Sequence, residues 1–523
     1  MPNRMLSELA DLVDIIQVNP EGADRNVAES FVSRIVDERS VAAVYSSIQS
    51  LCAQNMAQRG GFDRIALRKH LTEQGIKLEA QKEFSSDITI LQRHSGETSQ
   101  NLKQYGAIVG DDGGQISIVR DCQAPIAGAL ISGAVLITGE PGAGKSGVLS
   151  GIASNLRSAG RDVVELAVDS FSVETLEGLQ RELGLQHSLV EVLENWDGQE
   201  DGWLIVDALD ATRGGAGEAV FKRLIEDVLV AEGRWKVVAS IRSFDLQMGV
   251  QFRELFRGKP PVKTLSDERF PNVRHVHVPT WSTEELSRLT SQTTRLKTAI
   301  ETAPAKLQEL ALVPFNTKLI AELIYSSADD INFKSVKSQS ELLSFYWSKK
   351  VSAHGLAAEA SVKDVLALML DSRALRAKTF DLDLATISSL EVLVKEGVFT
   401  SAEDRRWVQF RHHLLFDYAI SRTFLYPEHL HLGEHFKKEN SLGLMLAPAV
   451  SFSLENLWQK ENSHQNFWRS SIALLSNSEI DPIIRSSIAR ICAEFPETAG
   501  DMDAIGGFLA GTEERSITLS AIR

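Results

Sequence analysis

GEPGAGKS, Gly139 to Ser146, decides how the rest of this chain is read. It fits G-x-x-x-x-G-K-[S/T], with Gly139, Gly144, Lys145 and Ser146 in the fixed places. The apolar run Ala134 to Thr138 ahead of it reads as a strand, and SGVLSGIASNL after it continues as a helix. A glycine loop between the two turns backbone N–H groups and the positive end of the helix toward one anion. The glycines let the backbone close on phosphate oxygens, Lys145 reaches the outer phosphates, and Ser146 is placed to ligate Mg²⁺. Glu140, Pro141, Gly142 and Ala143 complete the loop, so all eight residues are candidate phosphate contacts.

Outward from the loop, WLIVDALD puts Asp207 directly after four apolar residues, where a strand would deliver a carboxylate to hold Mg²⁺ through Ser146 and water. Asp210 follows three residues on, placed to orient an attacking water. KVVASIRSFD puts Ser240 and Arg242 at the carboxyl end of another strand, the edge where open α/β sheets bind ligands, and makes Arg242 a candidate γ-phosphate sensor. Lys145, Asp207, Asp210 and Arg242 are therefore the expected catalytic set. The runs Asp162 to Val168, Trp203 to Val206, Lys236 to Ile241 and His275 to Val278 are spaced widely enough for crossover helices, which predicts a parallel sheet.

A length of 523 residues implies roughly three to four domains. Before the turn cluster DDGG, Asp111 to Gly114, apolar positions recur at helical spacing, so residues 1–105 read as a helical module and 106–280 as the α/β core. PTWSTEEL then offers a Ser282 cap with Glu285 three residues on, opening a helical lid over 281–351. In 352–426, helices precede a polar turn, TSAEDRR, and the apolar WVQF, the pattern of a winged-helix module. The remainder, 427–523, reads helical. RSSIA at Arg469 recurs at Arg485, either by chance or as stacked HEAT-type repeats, and Trp458 and Trp468 read as packing anchors.

Lys+Arg 55 against Asp+Glu 70 gives a net charge of −15, which argues against nucleic acid as a partner except at a local basic patch. Arg64, Arg68 and Lys69 in FDRIALRKHLTEQG are the best such patch, though a solvated helix face reads more simply. Cys52, Cys122 and Cys492 are too few and too dispersed for a disulfide framework or a thiolate zinc site. No HExxH or GxSxG occurs, and His429 with His431 reads as surface. MPNRMLSELADLVDIIQV lacks the layout of a cleaved leader, and no apolar run approaches the roughly 20 residues of a membrane span. A cytoplasmic protein is expected.

GEPGAGKS, IVDALD and VVASIR together resemble the STAND class of P-loop ATPases, in its NACHT branch, over roughly Ile116 to Leu425. In that class the second motif ends in a further acid, where this chain has Ala211, which implies slow hydrolysis. LALVPFNTKLIAEL resembles the helix carrying the class's proline, which makes Pro314 the residue that would contact adenine; QISIVRD resembles the segment beside it, nominating Ile118, Val119 and Arg120. FRHHLLFDYAIS resembles the end of the winged-helix segment, where Phe410 aligns His412 with the histidine that touches the β-phosphate of ADP, and His413 is the neighbouring alternative.

The resemblance implies a switch. ATP or ADP with Mg²⁺ would be the cofactors, ADP holding the chain closed and ATP allowing copies to assemble into a homo-oligomer. A protein or ligand trigger would act on the C-terminal helical region, with signalling or antiviral defence as the setting. Two rivals stand beside it: an AAA+ remodelling ATPase, which needs a trans-acting and a lid arginine for which Arg373 and Arg376 could be offered, and a transcription regulator that grips DNA with its N-terminal helices or its winged helix.

Overall fold

The computed structural model describes residues 23–505 other than 34–35, 37–39, 58–63, 77–82, 199, 214, 232, 327–332, 334–335, 403–405, 426–433 and 438–441. His429 and His431 lie outside the described residues, as do the side chains of Arg64 and Arg68. The chain divides into two compact units, one ending at Phe84 and one beginning at Ser85. In the first, helices Ala23–Val32, Val41–Ala57 and Arg64–Glu73 gather Val32, Val36, Val44 and Leu71 into a small core. Lys69 there is exposed and faces Glu73 one turn on, as a solvated helix face requires.

That division departs from the expected boundary at 105/106. Helix α1 (Ser85–Tyr105) belongs to the second unit, and the face it buries is Asp87, Leu91, Ser95, Thr98, Ser99 and Leu102. Most of that face is polar, so apolar periodicity could not assign it. It is satisfied by hydrogen bonds instead: Asp87 accepts from the backbone N–H groups of Gln186 and His187, the Ser95 hydroxyl accepts from Glu165 N at 3.0 Å, and Arg157 donates to Ser99 Oγ at 3.0 Å.

The second unit is built on a five-stranded sheet, parallel throughout: β1 (Val135–Gly139), β2 (Val163–Ala167), β3 (Gly202–Asp207), β4 (Trp235–Arg242) and β5 (His275–His277). Their order is β2-β3-β4-β1-β5, so β4 lies between the loop-bearing strand and the strand that ends in Asp207. Gly139 pairs with Arg242 and Ala167 with Asp207, which brings the ends of these strands to one edge. Near-continuous burial along β1 to β4 explains why they read as unbroken apolar runs. Helix α2 (Lys145–Ser158) leaves the loop after β1. The second unit is thus a parallel α/β sheet that carries the glycine loop at the edge where its strands end, with helical regions added to it.

Ser282 and Glu285 form the capping box anticipated for the lid, and Glu285 does more than cap. It takes Arg120 Nε at 2.9 Å, with both side chains buried. Arg120 also donates to Ala143 O at 3.0 Å and Pro279 O at 2.8 Å and lies over the Trp281 ring. It therefore ties the Gly139–Ser146 loop to the start of helix Thr283–Thr290, and every donor direction the structure records is spent on protein; Val119 beside it is exposed. Helix α3 (Pro314–Ser326) follows.

Beyond the lid, an antiparallel sheet in the order β6 (Arg376–Lys378), β8 (Trp407–Phe410), β7 (Phe399–Ala402) sits among helices Leu356–Ser372, Leu384–Lys395 and α4 (His413–Thr423). The strand β6 carries no apolar run and was not legible in the sequence. α5 (Gly443–Lys460), helices Gln465–Ser476 and Pro482–Glu494 and a short helical turn at Ala499–Met502 complete the described chain. Trp458 stacks on His464 with ring centroids 3.6 Å apart and meets Phe467, Trp468 and Phe495, a packing anchor. The two RSSIA segments fall on successive helices and bury Ser471 with Ile472 and Ser487 with Ile488. Among the described residues, no helix is long and apolar enough to cross a membrane.

Arg120→Ala should destabilise the second unit by about 3 to 5 kcal/mol, because it leaves the Glu285 carboxylate and the Ala143 carbonyl buried without their partner. Urea unfolding followed by tryptophan fluorescence measures this; a loss below about 1 kcal/mol would mean that the clamp is dispensable.

Candidate functional site

The phosphate loop takes its shape from two left-handed glycines. Gly142 has φ +79°, and a Cβ there would stand 2.9 Å from Phe315 Cβ; Gly144 has φ +90° and forms the N-cap of α2. Neither position tolerates an L side chain without movement. Lys145 curls back over the loop and donates to Gly139 O at 2.9 Å and Glu140 O at 3.3 Å. Burial lowers its ammonium pKa, while Asp210 and Asp207 oppose the shift.

One cavity gathers Pro141, Gly142, Gly144, Lys145 and Ser146 of the loop with Asp207, Asp210, Ser240 and Arg242 of the strand ends and Pro314 and His412 of later helices. Its space, solvent-open mouth included, is ≈ 790 Å³. Gly139, Glu140 and Ala143 are the expected loop contacts that do not line it. Glu140 instead faces Arg269 at 3.3 Å, and the Ala143 carbonyl is taken by Arg120.

Asp207 is buried at the end of β3, where Ser240 Oγ donates to its Oδ1 at 2.5 Å and accepts from Ala208 N at 2.8 Å. Burial raises the Asp207 pKa against the hydrogen bonds of Ser240 and Ser146. A serine hydroxyl and a carboxylate side by side at the loop are the hard oxygen donors Mg²⁺ prefers, so Ser146 and Asp207 fit the ion. Among the described residues, no group of three or more His, Cys, Asp or Glu side chains forms a metal site by itself. The remaining positions would come from phosphate and water.

After Asp207 the backbone makes a tight turn over Leu209–Thr212, bracketed by Ala208 at φ +61° and Arg213 at φ +48°. Two non-glycine residues in the left-handed region cost about 1 to 2 kcal/mol each, so the turn persists only because its side chains are held. Asp210 Oδ2 lies 2.8 Å from Arg242 Nε, and its Oδ1 accepts from Arg242 N at 3.2 Å. Burial raises the Asp210 pKa, but Arg242, His413 and Lys145 outweigh it and hold the carboxylate well below the usual range. Arg242 reaches on to Asp417 Oδ2 at 3.3 Å, and Arg213 meets Asp417 Oδ1 at 3.0 Å. Asp417 is fully buried on α4.

The two histidines both line the cavity but hold different partners. His412 caps α4: its Nδ1 accepts from Leu414 N at 3.1 Å, and its ring stacks on Phe315 with centroids 4.1 Å apart. Burial, then the charges of His413 and Arg242, keep its pKa well below the ordinary value, so the ring is neutral with its proton on Nε2. His413 instead spans two carboxylates, Asp169 Oδ2 at 3.2 Å and Asp210 Oδ2 at 3.8 Å. Burial lowers its pKa, but these two acids raise it above the ordinary histidine value.

Sequence reasoning missed Tyr105, Asp169, Phe315 and Lys318, all of which line the same cavity. Asp169 carries the signal that found Asp207, a carboxylate just past an apolar run, and Lys318 stands one helical turn beyond Pro314. Lys318 donates to Gln104 O, and burial brings its ammonium down to about 8. Ile118, Val119 and Arg120 line a neighbouring groove that shares Tyr105, Pro314 and Lys318 with the first. Arg373 and Arg376 do not line the cavity: Arg373 ends a helix in the left-handed region, and Arg376 is buried over Trp407 and bonded to Glu182 at 2.7 Å.

No protein-family model matches the chain, and no curated protein does. Among solved structures it is similar to the Aeropyrum pernix Orc1 protein in complex with DNA (11% identity over 58% of this chain and 93% of that one, TM-score 0.28). It is also similar to a signal transduction ATPase with numerous domains and a tetratricopeptide repeat sensor from Pyrococcus horikoshii (14%, 80% and 62%, TM-score 0.30). A third is AMPPCP-bound DnaA from Aquifex aeolicus (13%, 53% and 78%, TM-score 0.25). Likeness at this level leaves the functional reading to the geometry of the site itself.

Proposed function

We propose that the chain is an ATP- and ADP-binding switch that hydrolyses ATP slowly, of the STAND class and its NACHT branch, and that the ion-pair network described above belongs to its closed, ADP-holding form. The observation that carries the reading is that Asp210 and Arg242, the residues best placed to orient water and sense a γ-phosphate, are both engaged by His413 and Asp417 of α4. A carboxylate held in an ion pair, with Ala211 where a second acid would stand, is a poor water-activating group. The reading takes 106–280 as the nucleotide core, 281–351 as the lid, 352–426 as a winged-helix module and 427–523 as the region that receives the trigger.

Within this reading the loop amides and Lys145 bind the phosphates, and Mg²⁺, held by Ser146 and Asp207, supplies charge neutralisation between them. His412 presents its Nε2–H to the β-phosphate, and Pro314 covers the base. Opening requires α4 to withdraw His413 and Asp417, which frees Asp210 and Arg242 for ATP and exposes surfaces on which copies assemble. The chain would act in signalling or defence in the cytoplasm. Arg373 and Arg376, committed elsewhere, give the remodelling alternative no support, and the exposed Lys69 paired with Glu73 gives the DNA-binding alternative none.

Lys145→Ala should abolish ATP and ADP binding in calorimetry while leaving the unfolding transition nearly unchanged, since the loop keeps its glycines and its Arg120 clamp. Unchanged affinity would remove the phosphate site from this loop.

Asp417→Asn should speed ADP release by about ten- to a hundredfold, the equivalent of losing one charge-assisted contact from one state only. It should also shift the chain from monomer toward assembly in ATP. Wild-type turnover should fall below the common enzymatic range of about 1 to 10³ per second. Rapid wild-type turnover with no effect of Asp417→Asn on ADP release would sink the switch.

The raised pKa of His413 gives the closed form a sign-definite pH dependence. A cation with a raised pKa contributes fully below the ordinary value near 6.5, and the contribution fades as pH climbs through the higher folded value. ADP release should therefore accelerate as pH rises from about 6.5 upward. Asp245, pushed up to about 7 by burial and Asp210, titrates in the same direction, so the difference between wild type and His413→Gln isolates the histidine. Superimposable pH profiles for the two would dismiss the histidine latch.

A further inference from the structure

Four helices of the second unit, Gln339–Lys350, Leu356–Ser372, α4 and α5, leave a cavity of ≈ 540 Å³ between them, large enough for a small organic molecule. Trp347 and Phe452, both buried, give it an aromatic wall, and each meets Tyr418 edge to face with ring centroids 5.9 and 5.8 Å apart. The direction of the Tyr418 ring is thereby fixed. Two hydroxyls in the lining are left unused by the fold. Tyr418 is 5% and Ser340 6% exposed, yet neither hydroxyl has a hydrogen-bond partner among the described residues, and neither oxygen is closed off from solvent. Buried polar groups are nearly always paired, so hydroxyls that open onto a cavity are served by what fills it.

Lys363 and Arg422 reach the same space, and among the described residues no carboxylate pairs with either. Glu359 in the wall stands one helical turn before Lys363, where an ion pair would form, but its carboxylate takes the Ser352 hydroxyl instead. Of the neighbouring acids, Asp364 accepts from the Thr386 hydroxyl at 3.1 Å and Glu455 from Gln459 Nε2 at 3.2 Å, and neither lines the cavity. Two cations against one carboxylate leave the wall with one positive charge over, in a chain whose net charge is −15. The ammonium, the guanidinium and the two hydroxyls are together rich in donors. A carboxylate, with about four acceptor positions and a single negative charge, matches both the donors and the surplus.

We propose that this cavity binds a small organic carboxylate with an aromatic body. Its oxygens accept from the Tyr418 and Ser340 hydroxyls and pair with Lys363 and Arg422, and its ring lies along Trp347 and Phe452. None of these residues lines the cavity at the glycine loop, so the site stands independently of the nucleotide switch.

Hydrocinnamate is the probe, titrated calorimetrically into the full chain in excess ADP and Mg²⁺, with hydrocinnamyl alcohol as the same skeleton lacking the charge. The carboxylate should bind one to one, and the alcohol about tenfold more weakly or not at all. Tyr418→Phe keeps the ring between Trp347 and Phe452 and removes only the hydroxyl. It should weaken hydrocinnamate by about ten- to a hundredfold, the range of a hydrogen bond to a charged group. Lys363→Gln and Arg422→Gln change solvent-exposed side chains, so each should weaken it by about fivefold and leave the unfolding midpoint where it was. Absence of hydrocinnamate binding, equal binding of the acid and the alcohol, or equal binding by wild type and all three variants would overturn the site.

Discussion

The ion pair between Asp210 and Arg242, extended through Asp417 to Arg213, is the constraint on which the arrangement of the second unit depends. All four side chains are buried, and they come from the turn after β3, the end of β4 and α4. Burying four charged groups is expensive, and their mutual attraction does little more than return that expense. Such a cluster therefore adds little net stability. Its effect is on position, because each group is costly only when its partner leaves, so α4 has one seat against the core and a penalty for every other.

The turn depends on the same pairs. Ala208 and Arg213 stand in the left-handed region, and nothing in their own chemistry favours it. Ser240 holds the first from β4, and Asp417 holds the second from α4. The strain is thus secured by contacts that come from outside the segment.

The phosphate loop is arranged on a different principle. Its shape comes from glycines with positive φ and from Arg120, which ties the Ala143 carbonyl to the lid through Glu285. The Arg120 clamp does not involve α4, although Leu414 of α4 packs close to Gly142. The cavity therefore joins a wall built by the loop, with Lys145 and Ser146, to one built at the start of α4, with His412 and His413.

The glycine loop, the parallel strands, the Ser282 capping box and the strand Trp407–Phe410 were legible in the sequence, because each signal lies within a few residues of the structure it dictates. A left-handed glycine, a cap three residues from its partner and an apolar run need no knowledge of the rest of the chain. The membership of α1 in the second unit was not legible, since its buried face is largely polar and its partners, such as Glu165 and His187, lie seventy to a hundred residues away. Nor could sequence divide His412 from His413: adjacent on α4, one turns to cap its helix while the other meets Asp169, 244 residues distant in the chain. Asp417 with Arg213, 204 residues apart, leaves no local trace at all. Local backbone chemistry is written in neighbouring residues, whereas the partner of a buried charge is settled only when the fold has removed water from around it and left one opposite charge within reach.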